Sequence, residues 1–238
     1  MMKISRIHLC VVVVATALSM FGCRESKSIK ELQPSRVFAV PDITKEEYLK
    51  MYDAMDMTGV ALPAEVVNSP IYRHFYSPSC SWYCGGNVEK LWASSSLESE
   101  QCDNYNVEKI HDFNHESPWS EGASDDGIGE FVVFEFASYC PRITGVNILN
   151  GNVQSEELWR KNGRVKKLKL YHNDKPYAVL NLEDSRSLQF FEIDTVGYDE
   201  QMGGEMWNLK FEIMEVYPGS ESHNTMMSEI FFDGIDVH

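Results

Sequence analysis

The stretch His111-Asp112-Phe113-Asn114-His115-Glu116-Ser117-Pro118-Trp119 gathers the densest set of side chains able to do chemistry. Its two histidines are four apart, so a helix would carry both on one face, as some zinc sites require. No helical apolar pattern surrounds them, and the Glu of an HExxH site is missing. Asp112 and Ser117 also suit a plainer task, accepting hydrogen bonds from backbone N–H groups in a turn, and Asn114 fits either role. A second concentration runs from Asn150-Gly151-Asn152 to Trp159-Arg160-Lys161-Asn162-Gly163-Arg164, a long connection between two strand-like runs. It supplies what a neutral sugar demands: an aromatic face on Trp159, amides on Asn150, Asn152 and Asn162, and a planar guanidinium on Arg164. Trp159 is expected to contact ligand. Asn162 and Arg164 are equally suited to bracing the loop by bonding its carbonyls. No GxSxG elbow and no P-loop is present. Carboxylates are plentiful, but a glycosidase pair is defined by its separation, which spacing in sequence does not give. The expected class is a binding module, not an enzyme.

The elements that must position these groups are short β-type runs. Phe131 to Phe136 is apolar except for Glu135, Leu168 and Leu170 alternate with lysines, and Leu209, Phe211 and Ile213 alternate with Lys210 and Glu212. Further runs lie near 143–149, 176–182, 187–193 and 228–233, and His172-Asn173-Asp174-Lys175 has the composition of a hairpin connection. About eight strands without a convincing helix between them predict an all-β antiparallel sandwich or jelly roll over 88–238. Upstream, Thr44 and Glu47 have capping-box spacing, and Tyr48, Leu49, Tyr52 and Met55 recur on one face until Gly59, predicting a short helix. Residues 41–87 thus form a helical and irregular extension, and 23–40, mixed in Ser, Lys, Glu and Pro without periodicity, read as a tether.

The chain opens with Lys3 and Arg6, continues through an apolar run from Val11 to Leu18, and reaches Phe21-Gly22-Cys23, the basic, apolar and small-residue zones of a secretory signal. The apolar zone is too short to span a bilayer as a helix. Gly22 before Cys23 resembles a bacterial lipobox, although Met20 and Phe21 replace its commonest residues; the resemblance implies signal removal after residue 22 and acylation of Cys23. The expected location is therefore the bacterial cell envelope, reached by export and held by lipid. Net charge is −15, and removal of Lys3 and Arg6 with the signal makes it −17, a surface that repels nucleic acid and acidic lipid headgroups. Beyond Cys10 and Cys23 stand Cys80, Cys84, Cys102 and Cys140, an even count that predicts two disulfides of unspecified pairing in an oxidising compartment. A four-cysteine zinc site is the rival, disfavoured because there are not two close CxxC pairs.

Several phrases follow one another in a recognisable order: Ala93-Ser94-Ser95, Trp119-Ser120-Glu121-Gly122, Gly127-Ile128-Gly129-Glu130, Asn150-Gly151, Trp159 to Lys166, Val216-Tyr217-Pro218-Gly219 and Ser228-Glu229-Ile230. Together they resemble the translocation, glycan-binding domain of bacterial NAD glycohydrolase toxins, a galactose-binding-like jelly roll related to discoidin and coagulation-factor type C domains. The resemblance spans about 88–234 and concerns an accessory domain, so it implies no hydrolysis of NAD. It implies carbohydrate or a glycosylated partner as ligand, a core position for Trp119, and in the 111–119 loop a structural Ca²⁺ held by Asp112, Ser117 and Glu229. Hard oxygen donors suit that ion, with backbone carbonyls completing the shell. A structural or protein-interaction role beside another envelope protein, without a sugar site, is the competing function.

Overall fold

The structure is a computed structural model that describes residues 28–40, 45–59, 81–98, 105–197 and 204–236. Cys23, Cys80 and Cys102 lie outside the described residues, as do the signal segment and Thr44. Among the described residues eleven strands carry the fold: β1 (Lys30–Leu32), β2 (Arg36–Ala39), β3 (Lys90–Ala93), β4 (Trp119–Ser120), β5 (Phe131–Phe136), β6 (Ile143–Asn150), β7 (Gly163–His172), β8 (Lys175–Asn181), β9 (Ser187–Val196), β10 (Trp207–Tyr217) and β11 (Thr225–Gly234). Helix α1 (Lys45–Thr58) stops at Gly59, whose φ of +69° only glycine adopts without strain. A second helix, α2 (Glu156–Lys161), lies in the connection expected to be a loop. Ser155 starts it by accepting the Leu158 N–H at 3.1 Å.

The main strand order is β2-β9-β6-β11-β7-β10-β5-β3, with β8 beside β7 and β1 beside β8. Pairing is antiparallel except for β1 with β8 and the two-residue contact of β11 with β7, so the sheet is mixed and not wholly antiparallel as the sequence suggests. The strands fold over into a sandwich. Phe232 on β11 meets Phe134 and Phe136 on β5 at 5.1 and 5.4 Å between ring centroids. In a flat sheet these strands would stand about 14 Å apart, three spacings of about 4.8 Å. Alternation supplies the core: Val132, Phe134 and Phe136 point inward beside Leu209, Phe211 and Ile213, with Leu168 and Leu170 next to them. Trp82, N-terminal to the expected domain boundary, is buried in the same core and donates its indole N–H to the Pro141 carbonyl at 2.9 Å.

Lys30–Leu32 and Arg36–Ala39 are strands, where the sequence suggested a tether. The chain passes along the outer edge of β8, crosses at Gln33–Ser35, and continues along the outer edge of β9, where Ser35 N–H bonds the Phe190 carbonyl at 2.8 Å. One segment so covers an edge of each layer. The hairpin at Asn173-Asp174 has φ of +48° and +61°, the signs of a type I′ turn.

The two ends of the sandwich differ. The hairpin end carries the connections 137–142, 172–175 and 234–236, with the residues just before Trp207. The α2 end carries 94–98, 121–130, 151–162, 182–186 and 218–224. Among the described residues no helix is long and apolar enough to cross a membrane. No disulfide is seen among them either: Cys140 is a buried thiol that donates to the Asn87 carbonyl, and burial raises its pKa.

Candidate functional site

Loops at the α2 end are fixed to one another by charged groups turned inward. Arg164, near the start of β7, is buried, and its guanidinium forks onto both Asp184 oxygens at 2.9 and 3.2 Å. Its third nitrogen donates to the carbonyls of Asn162 at 3.0 Å, Trp159 at 3.3 Å and Pro218 at 3.5 Å. One residue therefore joins α2, the 182–186 connection and the 218–224 connection. Charge-assisted, bidentate bonds are about twice as strong as neutral ones, which suits them to holding loops in place. Glu121 does the same for the next pair of loops, accepting Thr225 N–H at 3.0 Å and Ala123 N–H at 2.7 Å. Gly127, at φ +71°, packs so closely over this carboxyl that a Cβ there would lie 2.6 Å from its carbon. Glu130 accepts the hydroxyls of Ser94 and Ser95, each at 2.5 Å, and ties in the 94–98 connection.

Trp159 is turned inward. It is 5% exposed and belongs to a second apolar cluster with Val40, Leu149, Val153, Leu188 and Phe231, on the outer face of β6, β9 and β11. Its indole N–H is spent on the Asn150 carbonyl at 3.0 Å, and the Arg164 guanidinium lies over its ring at 4.4 Å. The reason is α2: the helical turn reverses the chain and folds the Trp back onto apolar surface that would otherwise be wet. The other residues of that stretch also brace. Asn150 is buried and makes a two-way amide clasp with the Val165 backbone at 2.7 and 2.9 Å. Asn152 caps its own turn by accepting Gln154 N–H at 3.2 Å. Asn162 ends α2 by donating to the Leu158 carbonyl at 2.9 Å. The structure thus brings Asn150, Asn162, Arg164 and Trp159 together in an internal frame of hydrogen bonds.

Asp112, Ser117 and Glu229 do converge. Asn114 N–H is shared between Asp112 Oδ1 at 2.9 Å and Glu229 Oε1 at 2.7 Å, and Ser117 Oγ donates to Asp112 Oδ2 at 3.3 Å. Glu229 is fully buried, and burial, reinforced by the neighbouring Asp112 charge, drives its pKa well above the carboxylate range. Its Oε2 and the Asn114 Oδ1 are buried without a hydrogen-bond partner. His111 is used elsewhere: its Nδ1 bonds the Ile230 carbonyl at 2.8 Å, its ring packs on Tyr83 and Phe134, and burial lowers its pKa. Among the described residues no group of three or more His, Cys, Asp and Glu side chains could hold a metal, so any ion here would draw on amide, hydroxyl and carbonyl oxygens as well.

Residues 82–233 match the NAD glycohydrolase translocation F5/8 type C domain, more than half of the 238-residue chain. The chain belongs to this family. No curated protein matches the sequence. Solved structures of similar strand arrangement include the CBM32-1 and CBM32-2 domains of ZmpB from Clostridium perfringens, at 11% identity and TM-score 0.48 over 88% of this chain and 43% of that one. The CpGH89CBM32-5 domain from the same organism, in complex with GalNAc-β-1,3-galactose, aligns at 14% identity and TM-score 0.44 over 61% of this chain and 94% of that one. CBM32-3 of a family 31 glycoside hydrolase, again from Clostridium perfringens, gives 15% identity and TM-score 0.44 over 63% and 96%. The chain spans less than half the length of the ZmpB fragment.

In this F5/8 type C domain, sequence reasoning passed over Glu121, Glu130 and Asp184 as braces. Glu121 and Glu130 sit in the phrases Trp119-Ser120-Glu121-Gly122 and Gly127-Ile128-Gly129-Glu130. A carboxylate flanked by glycines was the available signal, since close backbone approach needs the glycine and the freed N–H groups need an acceptor.

Two outcomes follow. Trp159→Ala is expected to cost about 3–5 kcal/mol of stability, as for other buried Trp truncations, read as a lowered denaturation midpoint; an unchanged midpoint would contradict the burial. Burial holds the Glu121 carboxyl above its ordinary 4.5, so the folded chain keeps that proton better than the unfolded one. Its contribution to stability is then fullest below the unfolded value and is lost as pH rises through the folded one. Denaturation of Glu121→Gln at a series of pH values is expected to show wild type gaining on the variant as pH falls from neutral toward about 4.

Proposed function

We propose that this chain is a non-catalytic binding module, exported and anchored through acylated Cys23, which recognises carbohydrate or a glycosylated partner with the loops at the α2 end. The observation that carries this reading is the cross-bracing of those loops by Arg164, Glu121 and Glu130. Rigid loops on a sheet scaffold are where binding function concentrates, because a ligand then pays little for ordering them. Their outer rim offers Ser124, Asp125, Asp126, Arg160 and His223, a mixture of donors and acceptors, and His223 Nδ1 already meets Asp126 Oδ1 at 2.8 Å. Hydroxyl-rich neutral ligands match such a mixture. The chain's charge of −15 opposes polyanions. Carbohydrate is also the ligand class in the GalNAc-β-1,3-galactose complex named above.

A structural Ca²⁺ at Asp112, Ser117 and Glu229 is part of the proposal. The residues fit: two carboxylates and a hydroxyl stand together, and the Glu229 Oε2 and Asn114 Oδ1 atoms are buried acceptors lacking donors. A hard cation would favour the ionised form of Glu229 over the proton that burial favours, and would fix the 111–119 loop to β11.

The ligand claim is tested on a glycan array with the soluble domain, with and without Ca²⁺. Binding to neutral glycans is expected, and His223→Ala should weaken it about tenfold, ~1.4 kcal/mol, without lowering the melting temperature. Silence across the array in both conditions would refute carbohydrate recognition. For the ion, chelator is expected to lower the melting temperature of wild type and to leave Asp112→Ala unmoved. A wild type indifferent to chelator removes the calcium.

A further inference from the structure

The direction of β1 says where an N-terminal anchor must lie. β1 runs parallel to β8, with Lys30 opposite Ala178 and Leu32 opposite Leu180, while β8 itself starts from the 172–175 hairpin. Followed back toward the N-terminus, the chain therefore heads to the hairpin end. β2 continues the same course, Arg36 opposite Phe190 and Ala39 opposite Ser187, so the whole segment advances from the hairpin end toward the α2 end. Only seven Cα steps separate Cys23 from Lys30 (30 − 23), a reach of about 25 Å when fully extended. Lys30 stands three strand positions from Lys175 (178 − 175), about 10 Å. What remains suffices to clear the hairpin end. Reaching past the α2 end would first require a reversal, then travel along the rest of β8 and its loops, which consumes the available length.

The hairpin end also bears apolar side chains that the fold does not use. Tyr139 is 77% exposed, Met206 54% and Ile235 41%. They share one rim: Ile235 N–H bonds the Arg142 carbonyl at 3.0 Å, Gly197 packs against both Arg142 and the Trp207 indole, and Phe136 stacks on Trp207 at 4.2 Å. Beside them the charges leave a negative excess, because exposed Glu205 adjoins Met206 while the other charges are matched. Arg142 pairs with Asp236 at 2.6 Å, and exposed Lys175 follows exposed Asp174. Such a rim has no electrostatic pull toward anionic headgroups, but a phenol, a thioether and a branched alkyl group suit the polar–apolar boundary of a bilayer.

We propose that the hairpin end rests on the bilayer that holds Cys23, with Tyr139, Met206 and Ile235 entering its interfacial zone, and that the α2 end points away from it. This rests on the acylation of Cys23 proposed above.

Hydrogen–deuterium exchange on the full acylated chain in phosphatidylcholine vesicles tests it, with Cys23→Ala and the same vesicles as reference. Amides in 137–142, 204–206 and 235–236 are expected to exchange about tenfold more slowly in the acylated chain, while 121–130 and 218–224 are unchanged. Raised salt should leave the protection intact, because it screens charges and not apolar contact. A Tyr139→Ser, Met206→Ser, Ile235→Ser variant should lose it while remaining acylated and vesicle-bound. Protection at the α2 end, or nowhere, in acylated and bound protein overturns the orientation and leaves the anchor standing. Protection that persists in the triple variant overturns interfacial entry of these side chains. Absence of acyl mass on Cys23 overturns the anchor and the orientation with it.

Discussion

A buried guanidinium must have its donors satisfied, and Arg164 meets that demand in a way that organises one end of the molecule. Withdrawing an ion from water costs several kcal/mol unless partners replace the solvent. Asp184 supplies the opposite charge and the carbonyls of Trp159, Asn162 and Pro218 supply the remaining acceptors. Because those acceptors belong to three different connections, none of the three can move without leaving part of the charge unpaired. Trp159 beneath the guanidinium completes the arrangement, since its ring shelters the ion and its body covers Leu149, Leu188 and Phe231.

The carboxyl groups of the fold divide by the same criterion. Glu121 has backbone donors on both oxygens, and acts as a joint between β4 and β11 and the loop beyond. Glu229 is buried more deeply, has a donor on one oxygen only, and lies beside the charge of Asp112. The first is a completed structural element. The second is an incomplete one, with a buried oxygen that no protein donor reaches.

Much of the sandwich was legible because alternation with period two is a direct imprint of a half-buried sheet: β5, β7 and β10 fall where Phe131–Phe136, Leu168–Leu170 and Leu209–Ile213 placed them. The Asn173-Asp174 hairpin was legible for a local reason, the tolerance of these residues for positive φ. The burial of Trp159 was not legible because it lies outside any alternation, and the helix that turns it inward is only six residues long. The same limit hid β1 and β2. Three- and four-residue strands carry too few side chains to show a pattern, and their partners are remote in sequence. Asp112, Ser117 and Glu229 were grouped through family resemblance, and their side chains do converge. The brace Asp184, with no glycine beside it, was hidden because bracing depends on which backbone groups lack partners, a property of the folded chain.

The edge-covering segment at residues 30–39 carries a kinetic consequence. Leu32 and Asn181, which it brings into hydrogen-bonding contact, are separated by 149 residues. A contact of that separation closes late, because a long loop must be ordered before it is rewarded. β1 and β2, synthesised well before β8 and β9, are thus among the last to find their places, and until they do the flanks of β8 and β9 stay bare. Lys175 and Pro176 at the start of β8 fit that interval: a charge and a missing N–H are the features that discourage an open flank from joining another molecule.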